Sequence, residues 1–160
     1  MKIIMKFGGT SLSSANKVRN VSKIVKDHSH HHQITIVASA LSGVTNSLVR
    51  LSEQAKVSSS EKIAIELDKL SELHTNISKN SIKDSKIKDE VLENISSTLD
   101  ELKRLLEGIS ALGEITPRSR DLILSFGERL AVLVIIGALK DIRVNAKHFN
   151  GAEAGIVTDE

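Results

Sequence analysis

The residues with the clearest capacity for chemistry lie near the N-terminus, in the segment KFGGTS at residues 6–11. This segment follows a short apolar run, IIM at residues 3–5, which predicts a strand, and it precedes a helical pattern. Two glycines at such a turn allow the backbone to approach a ligand closely, and they leave N–H groups free to bind an anion. Lys6 adds a positive charge suited to phosphate oxygens. This first loop, residues 6–11, has the outline of a phosphate-binding loop, and plain turn formation by the glycines is the alternative.

A second polar loop, SALSGVTN at residues 39–46, is predicted to lie beside the first. It follows the apolar run ITIVA at residues 34–38, which is typical of a buried parallel strand, and a helical stripe of valines separates the two strands. In an open α/β sheet, loops at the carboxyl ends of parallel strands line the ligand crevice, so we expect the two loops to face each other. Thr45 has two interpretations that stay open, the N-cap of the next helix or a hydroxyl donor to a small acidic ligand.

Glu128 stands in an unusual position for a carboxylate. Residues 122–136 are apolar nearly all round, which predicts a deeply buried helix, yet this helix contains the sequence SFGER at residues 125–129. An ionised carboxylate in a core is costly unless it is paired. Because Arg129 does not share a helical face with Glu128, three possibilities stay open: a pair with Arg118, a pair with a backbone group, or a carboxylate that faces a ligand.

The middle of the chain predicts two long antiparallel amphipathic helices, a helical hairpin at about residues 58–112. Apolar residues recur there at helical spacing in two stripes, which consist of Ile63, Leu67, Leu70, His74 and Ile77, and of Ile87, Val91, Ile95, Leu99, Leu102, Leu106 and Ile109. His74 lies within an apolar stripe, so we predict a residue at the boundary of the core rather than a catalyst. The pattern leaves open whether the hairpin caps a ligand or provides a contact surface.

The last part of the chain predicts a third strand at residues 142–146, a loop at 148–155 and the start of a strand-like segment at 156–158. Near the N-terminus, His28, His30, His31 and His32 invite a metal interpretation. They lie at a predicted helix-to-strand turn, away from the glycines, and metal ligands normally converge from separate elements. We therefore predict a solvated turn and no metal site.

Composition limits the classes of function. The 160 residues suffice for one domain, or a large piece of one, and a net charge of +2 gives no general attraction to nucleic acid. Three phenylalanines are the only aromatic residues, which argues against base stacking. There is no cysteine, no signal sequence before the first strand, and no apolar run that approaches the roughly 20 residues needed to span a bilayer. We expect a cytoplasmic protein with no membrane partner.

Four separated segments resemble, in order, the N-terminal motifs of aspartate kinases in the amino-acid kinase superfamily. They are KFGGTS at 6–11, VASALSGVTN at 37–46, TPRS through SFGERL at 116–130, and GAEAGIVTD at 151–159. The resemblance implies an α/β fold, a three-layer αβα sandwich with a mostly parallel sheet and an inserted helical hairpin. It also implies that residues 1–160 are the N-terminal lobe, without the C-terminal nucleotide-binding part and the regulatory ACT domains.

The resemblance assigns roles residue by residue. Lys6 looks like the family lysine that stabilises the transferred phosphoryl group. The phosphate and ATP contacts would come from the same loop, and the aspartate contacts from the second loop and the buried helix. The implied set is Lys6 as the catalytic residue, Lys6, Gly8, Gly9, Thr10 and Ser11 for ATP phosphate, and Ser39, Thr45 and Glu128 for the substrate, with Glu128 paired to its ammonium group.

The implied reaction is the ATP-dependent phosphorylation of the β-carboxylate of L-aspartate to 4-phospho-L-aspartate. That reaction opens the lysine, threonine and methionine branch of amino-acid biosynthesis, with ATP and Mg²⁺ as cofactors and a homo-oligomeric full-length enzyme. Because later family motifs do not occur here, we expect this chain alone to be inactive or weakly active. Two alternatives stay open: another superfamily member, similar to N-acetylglutamate kinase, and a non-catalytic amino-acid-binding module.

Overall fold

The computed structural model describes residues 1–56 and 60–156. In these ranges the chain forms two strands, one short 3-10 turn and five α-helices. Their bounds are β1 Lys2–Phe7, the turn Gly9–Leu12, α1 Ala15–Ser29, β2 Gln33–Ala38, α2 Val44–Gln54, α3 Ser60–Ser81, α4 Ser85–Leu112 and α5 Pro117–Asp141. The predicted strand–loop–helix–strand unit at the N-terminus is confirmed.

The sheet in the described part of the chain consists of β1 and β2, which pair in parallel from Lys2 with Gln33 to Phe7 with Ala38. Alternate residues of both strands pack against the helical core, and these include Met5, Phe7, Ile34, Ile36 and Ala38. The other face stays open, with Ile4 75% and Val37 47% exposed. The prediction of parallel pairing is confirmed. The strand β2 is buried on one face only, because the core packs against the face that carries Ile34, Ile36 and Ala38 and leaves the opposite face exposed.

Helices α3 and α4 pack against each other and supply most of their apolar stripes to the core. The carboxylate of Asp141, at the end of α5, accepts the backbone N–H groups of Lys83 at 3.0 Å and Asp84 at 2.7 Å. These bonds tie the connection between α3 and α4 to α5. The two predicted helices are therefore present, although residues 57–59 lie outside the described ranges, and the status of the hairpin as an insertion stays a prediction.

His74 belongs to the core on α3, as expected from its apolar stripe, but it has no exposed surface and so lies inside the core rather than at its boundary. Its Nδ1 lies 2.6 Å from the Leu70 carbonyl oxygen, while its Nε2 has no hydrogen-bond partner among the described residues. Burial lowers the pKa of His74 below its ordinary value, because it disfavours the charged ring, and the bond to Leu70 opposes part of that shift. The ring is therefore neutral in the folded protein near pH 7.

The helix α5 runs through the centre of the core. Thr116 and Ser119 form a capping box at its start, with Pro117 in the first turn, where the missing N–H costs nothing. Its length of 25 residues and its apolar composition would suffice to cross a membrane, so the expectation of no such run was wrong. Two-thirds of its most apolar window is buried within the protein, as in the core helix of a soluble fold.

The predicted third strand at residues 142–146 is wrong. The helix α5 extends to Asp141, Arg143 adopts a positive φ of 64°, and the segment after it is not paired in a ladder. Val144 and Ala146 still pack against the core, which explains the alternating sequence pattern. An extended segment becomes a sheet strand only when a neighbouring strand takes up its backbone hydrogen bonds. Most of the expected strand-like segment at residues 156–158 falls on residues 157 and 158, which lie outside the described ranges.

The histidines near the N-terminus lie at the end of α1 and in the turn before β2, as predicted. His28 Nδ1 lies 2.8 Å from the carbonyl oxygen of Ile24 on its own helix. Across residues 1–56 and 60–156, no group of three or more histidine, cysteine or acidic side chains is arranged to hold a metal ion.

Candidate functional site

The two predicted loops meet directly at Gly9 and Ala40. A Cβ placed on Gly9 would lie 2.7 Å from the carbonyl oxygen of Ala40 and 3.3 Å from the nitrogen of Ser42. Ser39 continues the sheet into the second loop, because its N–H bonds to the Phe7 carbonyl at 3.0 Å. Only glycine fits at residue 9 without moving the second loop. The expectation that the loops face each other is confirmed.

Helix α5 reaches the same point through Gly127 and Glu128. The backbone N–H of Ala40 donates to Glu128 Oε1 at 3.2 Å, and a Cβ on Gly127 would lie 2.8 Å from the Cβ of Ala40. The carboxylate is half-buried. Ala40 therefore contacts the first loop through its carbonyl oxygen, and α5 through its N–H and its methyl group.

The partner of Glu128 is thus a backbone group. In residues 1–56 and 60–156, no lysine, arginine or histidine side chain forms an ion pair with this carboxylate. Arg129 turns to another face, where it pairs with Glu101 of α4 at 2.5 Å and lies 4.3 Å from the centre of the Phe126 ring. A carboxylate with no cation beside it leaves room for the ammonium or other positively charged group of a ligand.

Lys6 and Gly8 lie on the open side of the first loop. The Lys6 side chain projects from the exposed face of the sheet, and in the part of the chain that the structure describes it forms no hydrogen bond or ion pair. A Cβ on Gly8 would meet no atom within 4 Å, so space remains beside this peptide. Both features leave room for a ligand, and the structure does not bring the Lys6 side chain into contact with Glu128.

Lys17 is a second cation at the first loop, and the sequence analysis missed it. Its Nζ donates to the Thr10 carbonyl at 2.8 Å and to Ser13 Oγ at 3.0 Å. Ser13 lies just before α1, and Lys17, four residues further along the chain, lies in the first turn of that helix. That i, i+4 spacing was visible in the sequence, but a lysine on a helix surface is usually solvated, so it gave no reason to single out this residue.

Thr45 lies inside the first turn of α2, so of its two interpretations the one as the N-cap is wrong. Gly43 occupies the N-cap with a φ of +85°, which glycine adopts readily, and no side chain caps the helix. The Thr45 side chain is exposed and is not used as a cap. Ser39 is half-buried just after β2. The positive end of the α2 dipole and the Thr45 hydroxyl are both left accessible to an anion.

A cleft of about 620 Å³ lies between the second loop and the helical hairpin. It is lined by residues from the start of α2 and from α3, among them Ser42, Asn46, Arg50, Glu66 and Lys69. None of the predicted site residues lines it. The hairpin therefore borders the second loop, on a side other than the contact between Ala40 and Glu128.

The sequence pattern of the Amino acid kinase family matches residues 1–160. The chain belongs to this family. Among curated proteins, Aspartokinase 1, chloroplastic, from Arabidopsis thaliana is 34% identical over 160 residues, which cover 98% of this chain and 26% of that protein. The aspartokinase of Candida albicans is 32% identical, over 92% of this chain and 28% of that protein. The amino acid kinase chain described here therefore spans about a quarter of the length of these relatives.

Among solved structures, the chain is similar to E. coli aspartokinase III in complex with aspartate and ADP. The TM-score is 0.79 at 24% sequence identity, over 94% of this chain and 31% of that one. At this level of identity the likeness establishes the fold. The α/β architecture with a parallel sheet and packed helices is that of an amino acid kinase.

Proposed function

We propose that this chain is the aspartate- and phosphate-contacting part of an aspartate kinase, which transfers the γ-phosphoryl group of ATP to the β-carboxylate of L-aspartate. The observation that carries the proposal is the half-buried carboxylate of Glu128, held at 3.2 Å by the N–H of Ala40 beside both polar loops. The similarity to aspartokinases of Arabidopsis and Candida supports the choice of substrate.

The free amino acid fits this arrangement better than an acylated one. Among the described residues Glu128 has no cationic partner, so a ligand ammonium group would neutralise it. The uncapped start of α2, with Thr45 beside it, offers N–H groups and a hydroxyl to a carboxylate of the same ligand. An N-acetylated amino acid lacks the ammonium group. These contacts therefore favour aspartate over N-acetylglutamate.

The phosphoryl group would be received at the first loop. The β-carboxylate of aspartate is ionised at pH 7, so an oxygen of that group can attack the γ-phosphorus without a general base, as the bond to the ADP oxygen breaks. In this proposal Lys6 neutralises charge on the transferred group, and Gly8, Gly9, Thr10 and Ser11 line the phosphates. Mg²⁺ commonly binds through substrate phosphates and one or two carboxylates. The described residues provide no metal cluster, so we assign no Mg²⁺ ligand to them.

We further propose that this chain alone has little or no activity. It corresponds to about a quarter of the length of its curated relatives. The open sheet face, with Ile4 and Val37 exposed, agrees with a lobe that packs against further protein. The homo-oligomeric state of a full-length enzyme and a cytoplasmic location stay predictions, and the Arabidopsis relative is chloroplastic.

The test is the formation of aspartyl phosphate, trapped with hydroxylamine, in this chain and in the same chain extended by the downstream sequence of its gene. We expect product from the extended chain with L-aspartate and MgATP, and little from the shorter one. The variant Lys6→Ala should lower turnover by about 10²-fold or more, as loss of other electrostatic donors does.

Lys2→Ala is the matched control, because Lys2 projects from the same exposed face of β1. Its turnover should stay within about twofold of the unaltered chain, since Lys2 lies four residues from Lys6 along β1 and the charge of a solvated side chain is screened. No product from either length would refute the proposal. Product with N-acetylglutamate but not aspartate would favour the related kinase, and aspartate binding without phosphoryl transfer in the extended chain would favour a binding module.

A further inference from the structure

We infer that the contact between Gly127 and Ala40 positions the Glu128 carboxylate, so that residue 127 must lack a side chain as long as residue 40 carries one. The role of the carboxylate rests on the function proposed above, but the positioning itself is a property of the packing. Gly127 and Ala40 are positioning residues, because they act on the ligand through Glu128.

The contact is too close for a second methyl group. A Cβ on Gly127 would lie 2.8 Å from the Cβ of Ala40, 3.2 Å from Leu48 Cδ1 and 3.4 Å from Val44 Cγ1. Carbon atoms in good contact are separated by about 3.5–4.0 Å. The Leu48 methyl group ends a flexible side chain and can rotate away. The Cβ of Ala40 is attached to the backbone, so it can move only if the second loop moves.

The hydrogen bond to Glu128 would not survive that movement. Ala40 N and Glu128 Oε1 are already 3.2 Å apart, near the upper limit for such a bond. Separating the two Cβ atoms to normal contact requires a shift of about 0.7–1.2 Å, which lengthens the N–H···O distance beyond that limit. A single methyl group at residue 127 would therefore release the carboxylate from the second loop.

The first loop restrains the second loop from the other side. Ala40 cannot retreat freely, because its carbonyl oxygen already lies against Gly9, where an added Cβ would be only 2.7 Å away. A Cβ at residue 127 would therefore either displace the first loop together with Ala40 or separate the second loop from α5. The three segments of the proposed site share one small residue as their point of contact.

The experiment exchanges the methyl group between the two positions. The variants are Gly127→Ala, Ala40→Gly and the double variant, in which the methyl group moves from one side of the contact to the other. The readout is the backbone amide proton shift of residue 40 by NMR, because an amide that loses a charged acceptor moves upfield. Glu128→Ala, which removes the acceptor, marks the shift expected for a broken bond.

We expect Gly127→Ala to move the amide of residue 40 upfield, toward the value in Glu128→Ala, and the double variant to recover at least half of that change. Gly108→Ala is the matched control and should leave the amide of residue 40 unchanged, because a Cβ there meets no atom within 4 Å. Gly137→Ala, which creates a clash elsewhere on α5, should leave this amide unchanged.

An unchanged amide in Gly127→Ala, or a double variant that shows no recovery, would overturn the inference. If Gly127→Ala does not fold, recovery of folding in the double variant supports the inference, and a double variant that also fails to fold overturns it. L-Aspartate titration separates the two proposals. Binding by the extended chain should weaken at least tenfold in Gly127→Ala and return to within about threefold in the double variant, whereas no aspartate binding by the unaltered chain would refute the proposed function alone.

Discussion

Helix α5 has two tightly packed glycines, ten residues apart, with different neighbours. Gly127 lies against the second loop, and its closest neighbour is a Cβ fixed to that loop's backbone. Gly137 lies against the hairpin, where a Cβ would meet Val91 Cγ2 at 2.5 Å and Ile82 Cδ1 at 2.7 Å, both on side chains. The N-terminal half of α5 therefore holds a polar site in place, whereas the C-terminal half holds the hairpin in the core. Substitutions in the N-terminal half should therefore change activity toward aspartate, and substitutions in the C-terminal half should change the free energy of unfolding.

Among the substitutions that compare the two halves of α5, Glu128→Gln in the extended chain should have the largest effect. Glutamine keeps an oxygen for the Ala40 N–H but cannot pair with an ammonium group. Losing one member of such a pair costs about 2–3 kcal/mol, which corresponds to roughly 30- to 160-fold in kcat/KM for aspartate. Thermal unfolding should show little change. A loss of stability instead of activity would contradict the separation between the two halves of α5.

Gly137→Ala tests the other half of the helix. Overpacking a core site typically costs about 1–3 kcal/mol of unfolding free energy, because the neighbours must leave their preferred rotamers. Chemical denaturation of the 160-residue chain measures this cost. In the extended chain, the activity of the folded fraction should stay close to that of the unaltered chain. A selective rise in KM for aspartate would show that the two halves are coupled.

The buried His74, on α3 of the hairpin, should make the free energy of unfolding depend on pH. Because burial lowers its pKa in the folded state, the unfolded chain binds more protons below about pH 6.5, the ordinary value. Stability is therefore complete above that pH and decreases as the pH falls through 6.5 toward the lowered value, by at most about 1.4 kcal/mol per pH unit. His74→Leu should remove this slope in denaturation curves from pH 7.5 to 5. The exposed His30→Gln should keep it, and an unchanged slope in His74→Leu would assign the effect to other groups.

Gly108→Ala should have the smallest effect, and in the opposite direction. Gly108 lies within α4 with open space around it, so alanine gains helix propensity without a clash. We expect a gain of about 0.5–1 kcal/mol in unfolding free energy. A loss in the same denaturation assay would mean that the surface of α4 contacts something beyond the described residues.

The hairpin was the most predictable part of the fold. Stripes that begin at Ile63 and Ile87 repeat over many turns, so periodicity alone located both helices. The prediction of a third strand was wrong, because periodicity cannot reveal whether a neighbouring strand is present to pair with the segment. Val144 and Ala146 alternate in burial as a strand would, but in the described part of the chain they have no strand partner. The N-cap interpretation of Thr45 was wrong because Gly43, two residues earlier, occupies the N-cap position.

By itself, the sequence determined the position of most helical segments, and that a charged residue lies within an apolar helix. Those features depend on residues close together in the chain. Only the tertiary structure decided that Ala40 connects both loops to α5, that Glu128 binds its N–H instead of an arginine, and that Lys17 reaches the first loop. These contacts depend on the approach of segments as much as 88 residues apart, and packing sets that distance.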